Sequence, residues 1–162
     1  MSKNKKTFLQ YSDEQQKQYE REARLQYGSS TVNESIQRWN SYSKDQQDAI
    51  KEEGNQIYVD LAEMMTAGKG ATDKAVEEIL DRWQQHLRYF YEPSLDMLRG
   101  LGQLYNSSPD FMANFQKIHP DLPAYLETVI DYYVDELETA ELEQMLAEDD
   151  EDMNQRRNNL SQ

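Results

Sequence analysis

The run Val76-Glu-Glu-Ile-Leu-Asp-Arg-Trp83-Gln-Gln-His-Leu-Arg-Tyr-Phe-Tyr91, followed by Glu92-Pro93-Ser94, decides the fold class. Val76, Ile79, Leu80, Trp83, Leu87, Phe90 and Tyr91 recur three and four residues apart, which puts them on one face of a helix. It is the strongest apolar stripe in the chain. Thr72 precedes it as a cap, and Asp73 falls in the first turn, where the positive end of the helix dipole favours a carboxylate. Pro93 stops the helix, because its ring clashes with the preceding turn and it has no N–H to donate.

Outward from that run the same pattern repeats. On the C-terminal side, Ser94 caps a shorter helix carrying Met97, Leu98, Leu101, Leu104 and Tyr105. Ser108, Pro109 and Asp110 then form a helix start, with Pro in the first helical position, and this short helix presents Phe111, Met112 and Phe115 before His119-Pro120 ends it. Asp121 caps the last helix, whose stripe runs through Leu122, Tyr125, Leu126, Val129, Ile130, Tyr133, Val134 and Leu137, with Leu142 and Leu146 as an extension. On the N-terminal side, Ser43 with Gln46 reads as a capping box. The helix behind it, Lys44 to Ala67, carries Ile50, Ile57, Leu61, Met64 and Met65 on one stripe. Gly54 interrupts that stripe, which suggests a close helix crossing, and Gly68-Lys-Gly70 breaks the helix. A short helix over Val32 to Trp39 and a sparse one over Asp13 to Tyr27, ended by Gly28, come first. No segment alternates apolar and polar residues as a strand would. The expected fold is all-α, with about six to seven helices of unequal length crossing obliquely.

The expected organisation is a polar arm over residues 1–10, loosely held N-terminal helices over 11–41, a helical ligand-binding domain over 42–147, and an acidic, polar, disordered tail over 148–162. Few apolar residues hold the 11–41 stretch, which suits a lid.

Composition excludes several functions. The net charge of −14 opposes docking on phosphate backbones or anionic membranes, both of which need clustered basic residues. There is no cysteine, so disulfides, thiolate metal sites and thiol nucleophiles are out. The basic start lacks the apolar core of a secretory signal, and no later segment suits a membrane span. A cytoplasmic protein is expected. His86 and His119 are the only histidines and stand in no ligand set for zinc. No cofactor is expected, and His86 reads as a hydrogen-bond donor to the core or to a ligand. Carboxylate pairs such as Asp131 with Asp135 and Glu138 with Glu141 read as solvated helix faces in so acidic a chain. No catalytic set is legible, and the chain reads as a binder rather than an enzyme.

Several segments, in order and closely spaced, resemble the TipA-type antibiotic-recognition domain. They are Ser43-Lys-Asp-Gln-Gln-Asp-Ala-Ile-Lys-Glu-Glu-Gly54, Leu61-Ala-Glu-Met-Met65, Trp83-Gln-Gln-His86, Phe90-Tyr-Glu-Pro-Ser94 and Met97-Leu-Arg-Gly-Leu-Gly-Gln-Leu-Tyr105. Pro109-Asp-Phe111, Phe115 and Leu122-Pro-Ala-Tyr-Leu126 complete the pattern, which spans roughly residues 11 to 135. The resemblance implies a compact globin-like helical fold without haem, and a cleft for bulky, largely apolar, peptide-like antibiotics such as thiopeptides. Many members of that family are the effector half of MerR-type regulators, behind a winged helix-turn-helix. Some forty residues precede Tyr42, too few for such a module, so no DNA contact is expected of this chain. Some members capture ligand through a Cys near the Pro of the Phe-Tyr-x-Pro turn. Ser94 follows that Pro here, and a Ser hydroxyl without a base is a poor nucleophile, so reversible binding is expected.

The residues assigned to the cleft are Trp83, His86, Leu87, Phe90, Tyr91, Ser94, Met97, Leu101, Tyr105, Phe111, Phe115 and Tyr125. For each, plain core packing stands beside the binding role. Aromatic stripes at helical spacing usually pack inside, Met fills gaps as readily as it adapts to ligands, and a Tyr hydroxyl bonds backbone as readily as a ligand amide. The expected partner is a hydrophobic small-molecule or peptide antibiotic, with homodimerisation as a further expectation. Two other functions fit the same chain: a protein-interaction module, and the C-terminal effector fragment of a MerR-type regulator.

Overall fold

The computed structural model describes residues 28–161. The arm over residues 1–10 and the helix expected over Asp13–Tyr27 lie outside the described residues. Those described form six helices and no strand: α1 Ser29–Ser41, α2 Lys44–Thr66, α3 Lys74–Leu87, α4 Leu95–Tyr105, α5 Pro109–Gln116 and α6 Leu122–Leu160.

The helix ends follow the local chemistry. Ser43 and Gln46 form the expected capping box on α2: the Ser hydroxyl accepts from the Gln46 N–H, and the Gln side chain accepts from the Ser43 N–H. At the other end, Gly68 takes φ 76°, a conformation that costs glycine little. Its N–H bonds the Met65 carbonyl, and the Lys69 N–H reaches back to the Met64 carbonyl at 2.9 Å, satisfying two orphan acceptors of the last turn. The cap of α3 is Asp73, not Thr72: its carboxylate accepts from the Ala75 N–H at 2.8 Å. Ser94 caps α4 through the Met97 N–H.

Two boundaries differ from the sequence reading. The deciding stripe does not continue as helix to Tyr91. α3 ends at Leu87, and residues 88–90 form a turn. The chain must leave the helical region before Pro93, and this reorients Tyr89, Phe90 and Tyr91. The second difference is a correction. α6 does not give way to a disordered tail at residue 148 but runs on to Leu160, thirty-nine residues in all. Beyond Pro123 nothing breaks it, since the chain has no Gly or Pro there and is rich in Glu, Leu, Gln, Met and Ala, which favour helix.

The core lies where α2, α3, α4 and α5 close on the first half of α6. Ile57, Leu61, Val76, Leu98, Leu122, Leu126, Ile130 and Val134 have no exposed surface. Gly54 is buried on α2, and Gly102 sets a close crossing on α4. A Cβ at Gly102 would sit 2.8 Å from Ile130 Cγ2, so the absent side chain lets α4 lie directly on α6. Arg99, one turn earlier on α4, ties the same pair: its guanidinium bonds Asp131, Asp135 at 2.7 Å and Glu138 at 3.1 Å. The acidic pairs read as solvated faces therefore include an arginine clamp.

Candidate ligand-binding site

The twelve residues assigned to a cleft fall into three places. The first is an aromatic group where α2, α3, α4 and α5 meet. Trp83 and Phe115 are wholly buried, and Tyr105 and Phe111 nearly so. The Tyr105 ring centroid lies 5.3 Å from that of Phe111 and 4.9 Å from that of Phe115. Tyr58 of α2 joins them, 4.8 Å from Phe115, and was not among the twelve. Polar atoms inside this group answer one another. Trp83 Nε1 donates toward the hydroxyls of Tyr58 at 3.1 Å and Tyr105 at 3.4 Å, and the two hydroxyls are 3.2 Å apart. Burial drives the Tyr105 phenol well above its ordinary pKa, with the Tyr58 and Tyr91 phenols adding to the effect. Tyr91, after the turn that follows α3, is half-buried. Leu87 and Leu101 are also buried and serve the core.

The second place is the end of α3. His86 is buried, with Nε2 2.8 Å from the Ile50 carbonyl. A carbonyl only accepts, so Nε2 holds the proton and donates. Burial lowers the His86 pKa, opposed by that backbone bond and by Glu53, so the ring is neutral in the fold. Phe90 packs edge-on to His86 and stacks on Trp39 of α1, centroids 5.7 Å apart. Tyr42 closes the group: its hydroxyl donates to the Tyr89 carbonyl at 2.5 Å, and its ring meets that of Tyr89 edge-on. Gln47 donates to the Trp39 carbonyl at 2.8 Å. α1 is therefore held over the end of α3 by side chains, where the sequence suggests a loosely held element. Tyr42 and Tyr89 sit outside every apolar stripe, and only their ring chemistry could have flagged them.

The remaining residues are dispersed. Ser94 is exposed and serves as the cap of α4, and Met97 is half-buried one turn later. Tyr125, half-buried on α6, donates to the Lys69 carbonyl at 2.9 Å and so fastens the loop between α2 and α3. No ring contact or hydrogen bond among the described residues brings it to the aromatic group. Among the described residues, no three His, Asp or Glu side chains are placed to hold a metal, and no helix is long and apolar enough to cross a membrane.

All-α in its described residues, with an aromatic centre where four helices converge, the chain has the form of a globin-like helical domain. The chain belongs to the TipAS antibiotic-recognition domain family, whose pattern matches residues 19–133. It is 30% identical over 127 residues to the HTH-type transcriptional activator mta of Bacillus subtilis, covering 78% of this chain and 49% of that protein. It is 28% identical over 125 residues to the HTH-type transcriptional activator TipA of Streptomyces coelicolor, covering 76% of this chain and 49% of TipA. The chain thus spans about half the length of these curated relatives. Its backbone also matches TipAS from Streptomyces lividans, solved in complex with nosiheptide as part of a thiopeptide antibiotic multidrug resistance system. The TM-score is 0.67 at 25% identity, over 79% of this chain and 89% of that one. The expected globin-like helical fold is the fold found.

Proposed function

We propose that this chain binds bulky, largely apolar, peptide-like antibiotics of the thiopeptide kind, reversibly, for drug sensing or sequestration in the cytoplasm. The carrying observation is the joint match of sequence and backbone to an antibiotic-recognition domain captured with nosiheptide. The aromatic centre supports it. Tyr58, Tyr105, Phe111 and Phe115, with half-buried Tyr91 and Met97 assigned to the same site, supply flat, polarisable walls for heterocyclic rings and phenols for ligand amides. Trp83, Leu87 and Leu101 act from behind, fixing the positions of those walls. His86 and Phe90 set the pose of the turn that carries Tyr91.

Binding is non-covalent in this reading, because the chain has no cysteine and the Ser94 hydroxyl is engaged as a helix cap. Turnover is not assigned to it. Nor is contact with nucleic acid, which a net charge of −14 opposes. The curated relatives are transcriptional activators, which favours sensing as the use to which binding is put.

The test is thermal unfolding with and without nosiheptide and other thiopeptides. Ligand at a hundred times its Kd stabilises the chain by about 2.7 kcal/mol, a rise in Tm of roughly 5–11 °C for a chain this size. An unchanged Tm with every member of the panel overturns the reading. Light scattering on the same samples reports whether a second copy takes part.

A further inference from the structure

α6 continues about 35 Å beyond Leu137, its last core-packed residue. Over this length Leu142, Met145 and Leu146 are each 56% exposed and Met153 is 50% exposed. These residues do not extend the core stripe. With each residue turning about 100°, Leu142, Leu146 and Met153 form a second stripe displaced by about 120–180° from Ile130 and Leu137, with Met145 at its near edge, about 60–80° away. It lies on the flank that carries Asp131, Asp135 and Glu138, the acids that hold Arg99.

That flank already has one occupant. α4 lies along it with an apolar face and one arginine, and α4 stops at Ser94. Beyond its start is a shallow open depression lined by Pro93, Ser94, Leu95, Asp96, Glu138 and Glu141. Past that depression the flank goes on with the same chemistry, apolar residues beside carboxylates, and no described element covers it. Between Glu136 and Gln155 the chain has nine acidic residues and no Lys or Arg.

We infer that the free half of α6 is a docking rail for a basic amphipathic helix of another protein, seated as a continuation of α4. The partner places Leu-type side chains on Leu142, Met145, Leu146 and Met153, and its Lys or Arg side chains face Glu141, Asp149 and Asp150 as Arg99 faces its own three acids. A second copy of this chain is disfavoured by charge, because two such rails bring their carboxylates together. An anionic membrane is disfavoured on the same ground.

The seven methionines make the test direct. In the full chain labelled at Met methyl groups, Met145 and Met153 report the rail, while Met64, Met97 and Met112 report the body. The probe is a peptide of about 18 residues, long enough for a ~27 Å helix, built of Leu and Lys in amphipathic register. Its Leu/Glu counterpart is the control. The Leu/Lys peptide is expected to shift Met145 and Met153 and leave Met64 unmoved. The variant Leu142→Gln with Leu146→Gln keeps the charge and the body's Tm, and should weaken binding at least about tenfold. Equal binding by that variant, shifts confined to the body, or binding of the Leu/Glu peptide overturns the inference. So does no binding at millimolar peptide, or self-association that the same variant abolishes.

Discussion

Trp83 Nε1 points at the Tyr58 hydroxyl, 3.1 Å away, in a part of the core where Trp83 has no exposed surface. An indole N–H can only donate, and buried without an acceptor it would cost about 1–3 kcal/mol. The phenols of α2 and α4 answer that donor, so the ring that anchors α3 also fixes the positions of two buried tyrosines. Tyr58→Phe should destabilise the chain by about 1–2 kcal/mol in urea unfolding, because Tyr105 remains as a longer acceptor at 3.4 Å. Adding Tyr105→Phe removes the last acceptor. The double variant should lose more than the sum of the two single losses, and strict additivity would show that the N–H has another partner.

Gly102 and Ile130 set the distance between α4 and α6. Ala is the better helix former by about 1 kcal/mol, yet Gly102→Ala drives a methyl to within 2.8 Å of Ile130 Cγ2. The expected outcome is a net loss of about 1–3 kcal/mol from overpacking. Ile130→Ala alone loses about 2–5 kcal/mol by leaving a cavity, but it frees the space that the new methyl needs. The double variant should therefore lose less than the sum, by a coupling energy readable in denaturant melts.

Trp39 is the anchor of α1. Its ring stacks on Phe90, carries the Lys51 ammonium 5.6 Å above it, and its carbonyl receives Gln47. Little else in α1 is buried apart from Val32. Trp39→Ala should leave α1 opening locally, because few buried contacts then oppose it. Hydrogen exchange is the measurement: amides of residues 29–41 should exchange faster, with those of Leu80 to Trp83 unchanged. Uniform acceleration across the chain would mean that Trp39 supports the global fold instead.

Much of the fold was legible because most of its helix starts are written locally. Ser43 with Gln46, Ser94, and Ser108 with Pro109 each declare a helix start through chemistry within a few residues. The stripes of α3 and of the first half of α6 then identify the core, since a 3.6-residue period has one packing solution. What was not legible depends on contacts between distant segments. Nothing near Tyr42 says that its hydroxyl finds the Tyr89 carbonyl, 47 residues away. Nor does the 3.6 period separate Trp83, which is wholly buried, from Tyr91, which is half-buried, because α3 ends at Leu87 and the turn before Pro93 breaks the stripe. The crossing of α4 on α6 was missed because Gly102 lies within an apolar stripe and breaks no pattern, so nothing local marks it. The end of α6 was misread because acidity was taken as disorder. High helix propensity and the absence of any breaker outweigh charge repulsion there.

His86 gives a pH dependence whose sign follows from its surroundings. Its pKa is lowered by burial, so on acidification the unfolded chain takes up a proton that the folded chain resists. Stability then rises with pH through this window. The contribution is fully present above the unfolded value near 6.5 and is lost as pH falls below it. Two responses oppose this in the wild-type chain: acidification also relieves self-repulsion in a protein of charge −14, and Glu53 partly supports the charged imidazole. The clean comparison is therefore with His86→Gln, whose amide can still donate to the Ile50 carbonyl but does not titrate. Subtracting the variant's unfolding free energy from that of wild type at each pH should give a difference that is flat from pH 8 to 7. It should become progressively less favourable to wild type from about 6.5 downward. A difference that stays flat down to pH 5 would mean that the folded protein accommodates the imidazolium as readily as water does. The Phe90 and Tyr89 rings beside His86 would then have to part on protonation, and faster amide exchange in residues 88–91 at low pH would show it.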